Sequence, residues 1–268
     1  MKKNIIKFIL SIVGVFILVV IYLSTFGLET EKFNTQIKNK VIQVNSKLNL
    51  DLKKIKLTLD LLNLKINAKT IGSKIIFKDK EIRLESIKTQ ISIVSIIKNK
   101  FVSSNLKIST KSILLKDLIS FLRAVSNKTE FYYLDNFTKK GYVVVDLELD
   151  FDENGKIKDN FQISGSLKNG KLILLKKYNI EKINFFLNVR KKILSFNEIY
   201  FTINNINFFS DKLKVTKNKQ TFLFEGIIEN KASTLNNELL NLIKLNFENL
   251  ELKKTNFSSK NNLSFKID

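Results

Sequence analysis

The stretch YVVVDLELDFDENGKIKDNFQISGSL, Tyr142 to Leu167, decides the fold class. Val143, Val145, Leu147, Leu149 and Phe151 alternate with Asp146, Glu148, Asp150 and Asp152. A period of two places one set on each face of an extended strand. Asn154-Gly155 follows, the dipeptide that suits a two-residue hairpin turn because both turn positions need positive φ. Phe161, Ile163 and Leu167 make the return strand, and Gly165 marks a bulge or a close backbone approach.

The same grammar repeats outward. Towards the C-terminus, Asn169-Gly170 reads as a further turn into Leu172 and Leu174. Strands follow at Ile183 to Val189, at Ile199 to Ile203 and at Ile206 to Phe208. Leu213 and Val215 pair with Phe222 and Phe224 across Lys217-Asn218-Lys219. Leu235, Leu239, Leu242 and Ile243 have helical spacing, Leu250 and Leu252 are extended, and Leu263, Phe265 and Ile267 form a last strand. An apolar strand one residue from the end leaves an edge that invites pairing, as in a shortened member of a longer architecture or a chain with a partner strand.

Towards the N-terminus, Leu106 and Ile108 are extended, and Ile113 to Val125 has the apolar spacing of a short amphipathic helix. Phe131 to Phe137 is aromatic and fits either state. Val94 to Phe101 reads as one helical turn between strands. Lys78-Asp79-Lys80-Glu81 is a turn, and Ile55 to Leu59 and Leu62 to Ala68 alternate with a phase slip near Leu61, a tight turn or bulge. Phe33, Ile37, Val41, Val44 and Leu48 recur at steps of three and four, a helix expected to pack on the following sheet rather than lie on a membrane.

Before all of this stands IIKFILSIVGVFILVVIYL, Ile5 to Leu23, interrupted only by Lys7, Ser11 and Gly14. A helix of roughly 20 such residues spans a bilayer core of about 30 Å. Lys2, Lys3 and Lys7 precede an uncharged run, which places the N-terminus in the cytoplasm and the bulk outside it. A cleaved signal peptide is the competing reading, although its apolar core is usually only about 7 to 15 residues. A buried helix of a soluble fold would need a polar face that this segment lacks.

Among 268 residues there is no His, Cys, Pro or Trp. That inventory excludes Ser-His-Asp and Cys-His catalysis, Cys/His zinc sites, His or Cys haem ligation and disulfides. The formal charge is +21, yet arginine occurs only at Arg83, Arg123 and Arg190 and the lysines are scattered. Bidentate phosphate clamping favours arginine, so no nucleic-acid partner is expected. The four carboxylates from Asp146 to Asp152 lack calcium-loop spacing and mark no sugar cleft. They are expected to pair with cross-strand lysines or to face water.

The order of parts resembles the AsmA-like proteins of Gram-negative bacteria, of the TamB and YhdP types. The resemblance is carried by LESIKTQISIVSIIKNKFVSSNLKIST (Leu84 to Thr110), GKIKDNFQISGSLKNGKLILLKKYNIEKINFFLNV (Gly155 to Val189) and FFSDKLKVTKNKQTFLFEGIIEN (Phe208 to Asn230). It implies one uncleaved inner-membrane helix, a short amphipathic helix, a periplasmic β-rich chain without catalytic residues, and a role in envelope lipid transport or outer-membrane maintenance.

The expectation is therefore a mostly β (α+β) chain. An N-terminal transmembrane helix precedes an extended, curved antiparallel β-sheet, groove-like or taco-like, with a few short amphipathic helices. Its parts are residues 1–28 (anchor), 29–130 (amphipathic helix and first β-rich unit) and 131–268 (second β-rich unit). The expected function is lipid binding or conduction by a non-catalytic protein of the bacterial inner membrane, single-pass, with its bulk periplasmic. A filled β core that helps outer-membrane proteins fold by lending a strand edge is the alternative, and an envelope enzyme using carboxylates with Ser or Lys is a third reading. In a groove, Val145, Leu147, Leu149, Ile163, Phe185, Leu187, Phe201 and Phe224 face acyl chains. No cofactor and no metal is expected. Partners are the inner membrane, a phospholipid or other acyl-chain ligand, outer-membrane proteins and further β-groove chains. A dozen strands side by side extend roughly 60 Å. That is too short to cross an envelope unaided and calls for partners, end-to-end assembly or a local handoff.

Overall fold

The computed structural model describes residues 2–44, 46–97, 103–126, 128–152, 157–174, 178–203, 206–218, 221–234 and 256–267. Strand predominates, on open antiparallel sheet, and one long apolar helix stands at the N-terminus. The chain packs as two compact units. The first is Met1–Ser109 with Leu147–Asp159, the second Thr110–Asp146 with Asn160–Asp268.

In the first unit, α1 (Lys2–Thr25) is followed by β1 (Leu28–Thr30), α2 (Asn34–Val44), β2 (Leu48–Asp51), β3 (Lys54–Asp60), β4 (Lys65–Ile71), β5 (Lys74–Phe77), β6 (Lys80–Ser92), α3 (Ile93–Ile97) and β7 (Ser103–Thr110). Asn4–Thr25 within α1 has a mean hydropathy of 2.8 and none of its residues is buried, so it is long and apolar enough to cross a membrane. The strand order is β1-β3-β4-β6-β7, and β2 pairs with β5, which returns to β6. Gly27 turns the chain from α1 into β1 at φ 73, and a Cβ there would collide with the Leu57 carbonyl oxygen. Only glycine fits this left-handed, crowded position.

The core of this unit is Leu50, Leu52, Ile55 and Ala68, with Ile37 of α2, Leu57, Ile75 and Ile87 packed on it. Asn34 Nδ2 donates to the Lys53 carbonyl oxygen at 2.9 Å and ties α2 to the sheet, as the apolar spacing of that helix predicts. The phase slip near Leu61 resolves into a turn at residues 61–64. There Asp60 accepts from the Asn63 backbone N–H at 3.1 Å, and Leu62 is left in solvent. A reversal between two strands resets which residues face the core, and this is why alternation breaks there.

The second unit holds β8 (Ile113–Leu114), α4 (Leu115–Ser126), α5 (Thr129–Phe137), β9 (Thr138–Asp150), β10 (Gln162–Leu174), β11 (Tyr178–Arg190), β12 (Ile193–Ile203), β13 (Ile206–Asn218), β14 (Thr221–Thr234) and β15 (Asn256–Ile267), with Leu147–Asp150 of β9 counted in the first unit. Consecutive strands pair from β9 to β15, and from β10 to β14 only two or three residues separate each strand from the next. The ambiguous aromatic segment is helical, as α5. Asn169-Gly170 does not turn the chain. It lies inside β10, where Asn169 has φ 52 and the register against β11 shifts on both sides of Gly170. Positive φ at an Asn serves a bulge as well as a hairpin, and the flanking strand pairing decides which. Gly165 does mark a close approach, since a Cβ there would meet the Val144 carbonyl oxygen at 2.6 Å. The Asn154-Gly155 turn and the expected helix and strand between Leu235 and Leu252 lie outside the described residues.

Candidate functional site

Antiparallel register turns alternation within strands into rows across them. Ile163 stands opposite Val189, Val189 opposite Leu194, Leu194 opposite Val215, Val215 opposite Phe224 and Phe224 opposite Phe265. The next row, two residues along, runs Gly165, Leu187, Phe196, Leu213, Gly226 and Leu263. Directly opposed residues share a face, so six strands present two apolar rows side by side, roughly 24 Å wide. Residues between these rows, among them Ser164, Asn188, Ser195, Lys214, Glu225 and Ser264, share the other face.

One end of this unit is covered. Val143, Leu167 and Ile183 form a buried cluster on which Leu115 and Leu118 of α4 pack. No row residue belongs to that cluster. Leu187, Phe196, Leu213 and Leu263 are only half-buried, and Phe265 is 45% exposed. Rings help close the gaps within the face: Phe224 stacks on Phe265 with centroids 4.8 Å apart, and Phe185 meets Phe196 edge-on at 5.2 Å.

The eight residues singled out from the sequence fall into three places. Ile163, Leu187 and Phe224 lie in the two rows. Val145, Phe185 and Phe201 pack on the covered cluster, where Phe201 also stacks on Phe208 at 5.3 Å. Leu147 and Leu149 belong to the first unit. All eight are half-buried. Leu194 and Phe196 also stand in the rows and are not among the eight, although ILSFN at residues 193–197 carries their alternation. Glu198, at φ 51, interrupts the run and disguises one strand as a shorter one.

The polar faces are laced with ion pairs. In the first unit Lys107 Nζ lies 2.7 Å from Glu148 and Asn105 donates to Asp150 at 3.1 Å, so the strand carboxylates meet cross-strand partners, as expected. In the second, Lys171 hydrogen-bonds Glu181 and Lys260 hydrogen-bonds Glu229, and each lysine holds its carboxyl below the usual carboxylate range. Among the described residues no group of three or more acidic side chains comes together as a metal site. Comparison with family models, with characterised proteins and with solved structures finds no match for this chain.

Proposed function

We propose that the chain is an AsmA-like protein: a single-pass protein of the bacterial inner membrane whose periplasmic β-sheet curves into a groove and binds or conducts lipid without catalysing a reaction. The observation that carries this reading is the pair of apolar rows on β10 to β15, half-buried or exposed at every residue but Val215. An apolar face of this size costs free energy in water, about 25 cal/mol for each Å² left exposed. Acyl chains relieve that cost without needing any particular residue. The uncharged α1 behind Lys2, Lys3 and Lys7 supplies the anchor and, by the charge rule, the orientation.

A photo-crosslinking residue placed at Leu187 or Phe224 in living cells is expected to capture phospholipid, and one at Ser195 on the other face is not. Equal capture at all three, or none, overturns the groove. A reporter fused after Asp268 is expected to be active only when exported, and cytoplasmic activity reverses the topology.

A second reading, an assembly factor that lends a strand edge to outer-membrane proteins, draws on β15. Among the described strands it has β14 as its one neighbour, and Phe265 and Ile267 on it are exposed. Crosslinks from β15 to protein, with none from Leu187 to lipid, favour it.

A further inference from the structure

Several lysines of this protein stand opposite a carboxylate in the sheet register. Lys214 faces Glu225 at 3.5 Å and Lys260 faces Glu229 at 3.0 Å. Lys74 faces Asp51 on one side and Arg83 on the other, and Glu81 lies within ion-pair distance of both cations. One row breaks this pattern. Lys56, Lys69 and Lys88 stand directly opposite one another on β3, β4 and β6. None of the three forms an ion pair among the described residues. Glu29 stands opposite Lys56 on β1 but lies 3.6 Å from Lys54 instead.

Like charges directly opposite destabilise a sheet, and three in succession do so twice over. An anion seated among them removes that cost. The site has the form for one. Two residues along the same three strands, Thr58, Asn67 and Gln90 form a second, uncharged polar row, and the two rows line a depression of about 460 Å³.

Its place in the fold names the anion. Gly27, two residues beyond the apolar helix, packs against Leu57 and Thr58, so Lys56 is one residue from the contact that joins α1 to β3. The headgroup layer on each side of a bilayer is roughly 5 to 8 Å thick. The row spans two strand spacings, about 10 Å. A receptor this close to the end of a membrane-spanning helix meets lipid headgroups before it meets any soluble anion.

We propose that Lys56, Lys69 and Lys88 bind the phosphate-bearing headgroup of an anionic membrane lipid and so dock the first unit on the bilayer that α1 crosses. This rests on the anchoring half of the proposed function and not on the apolar rows.

The test titrates short-chain phosphatidylglycerol onto the full chain in an uncharged detergent. Each Lys→Gln change in the row is expected to weaken binding about fivefold, and Lys56→Gln, Lys69→Gln and Lys88→Gln together about a hundredfold. A control with Lys212→Gln, Lys217→Gln and Lys231→Gln, equal in charge, is expected to bind as the parent does. Without lipid, the row variant is expected to melt no lower than the parent, because it loses only repulsion. Equal weakening by both triple variants makes the effect one of net charge and overturns the proposal. Competition by inorganic phosphate at equal concentration assigns the site to a soluble anion and overturns it too, as does tighter binding of an oligonucleotide.

If the row variant fails to fold, acetylation of the parent chain in nanodiscs decides. Lys56, Lys69 and Lys88 are expected to be protected by phosphatidylglycerol relative to phosphatidylcholine, and equal labelling overturns the proposal. Lipid crosslinking at Leu187 in the row variant separates the readings, since it survives when only headgroup docking is lost.

Discussion

The sheet of the first unit buries a core against α2, whereas the two apolar rows of the second stay half-buried or exposed at every position but Val215, although both are written in the same alternating code. In the first, Leu50 is 0% and Ile55 1% exposed, because α2 and the small β2–β5 pair lie within reach of the sheet. In the second, strands of 11 to 14 residues carry longer apolar rows, yet α4 covers only the cluster at Val143, Leu167 and Ile183. Alternation states that a strand has an apolar face. A second layer decides whether that face becomes core.

The contrast is broken most directly by cavities. Leu50→Ala is expected to cost about 3 kcal/mol, the usual range for a fully buried leucine. Hydrogen exchange should report it as lost protection confined to β2, β3 and β5. Protection lost equally from β10 to β14 would mean that the two units do not unfold separately.

Backbone contact comes next. Gly165→Ala sets a Cβ 2.6 Å from the Val144 carbonyl oxygen, so β9 and β10 must part, at an expected cost of about 1 to 3 kcal/mol. A midpoint in urea unchanged from the parent would show that the second unit tolerates strand separation.

Leu187→Ala sharpens the comparison from the other side. A half-buried leucine on an open face leaves little cavity, and the expected cost is about 1 kcal/mol. A loss as large as that of Leu50→Ala would show that the face is covered in the folded protein.

The α1 span, α2 packed on the sheet, the strand series and the polar role of Glu148 followed from period and charge alone. Three of the eight proposed lipid-facing residues reached the two rows. Val145, Phe185 and Phe201 pack on the buried cluster of Val143, Leu167 and Ile183 instead, since where a second layer docks depends on loop geometry that periodicity does not carry. Leu194 and Phe196 were hidden by a single left-handed residue, Glu198.

The smallest expected effect is electrostatic. Glu181 and Glu229 are held below their ordinary range by hydrogen bonds from Lys171 and Lys260. A carboxyl lowered on folding stabilises the protein above its unfolded pKa, about 4.3, and that contribution disappears as pH falls through the folded value. Glu181→Gln with Glu229→Gln is therefore expected to lessen the drop in melting temperature between about pH 6 and about pH 3. Both pairs are solvent-exposed, so the change should be slight and should vanish in high salt.

The sequence by itself determined the apolar helix, the strand-rich class and an inventory without His or Cys, because hydropathy, period and side-chain chemistry are local properties. Only the tertiary structure decided which residues of different strands stand opposite one another. Register made two apolar rows from six strands and one lysine row from three, through pairings as distant along the chain as Phe224 with Phe265 or Lys69 with Lys88, whose separations nothing in their own neighbourhoods encodes. A slip of one residue would have sent every one of those side chains to the other face.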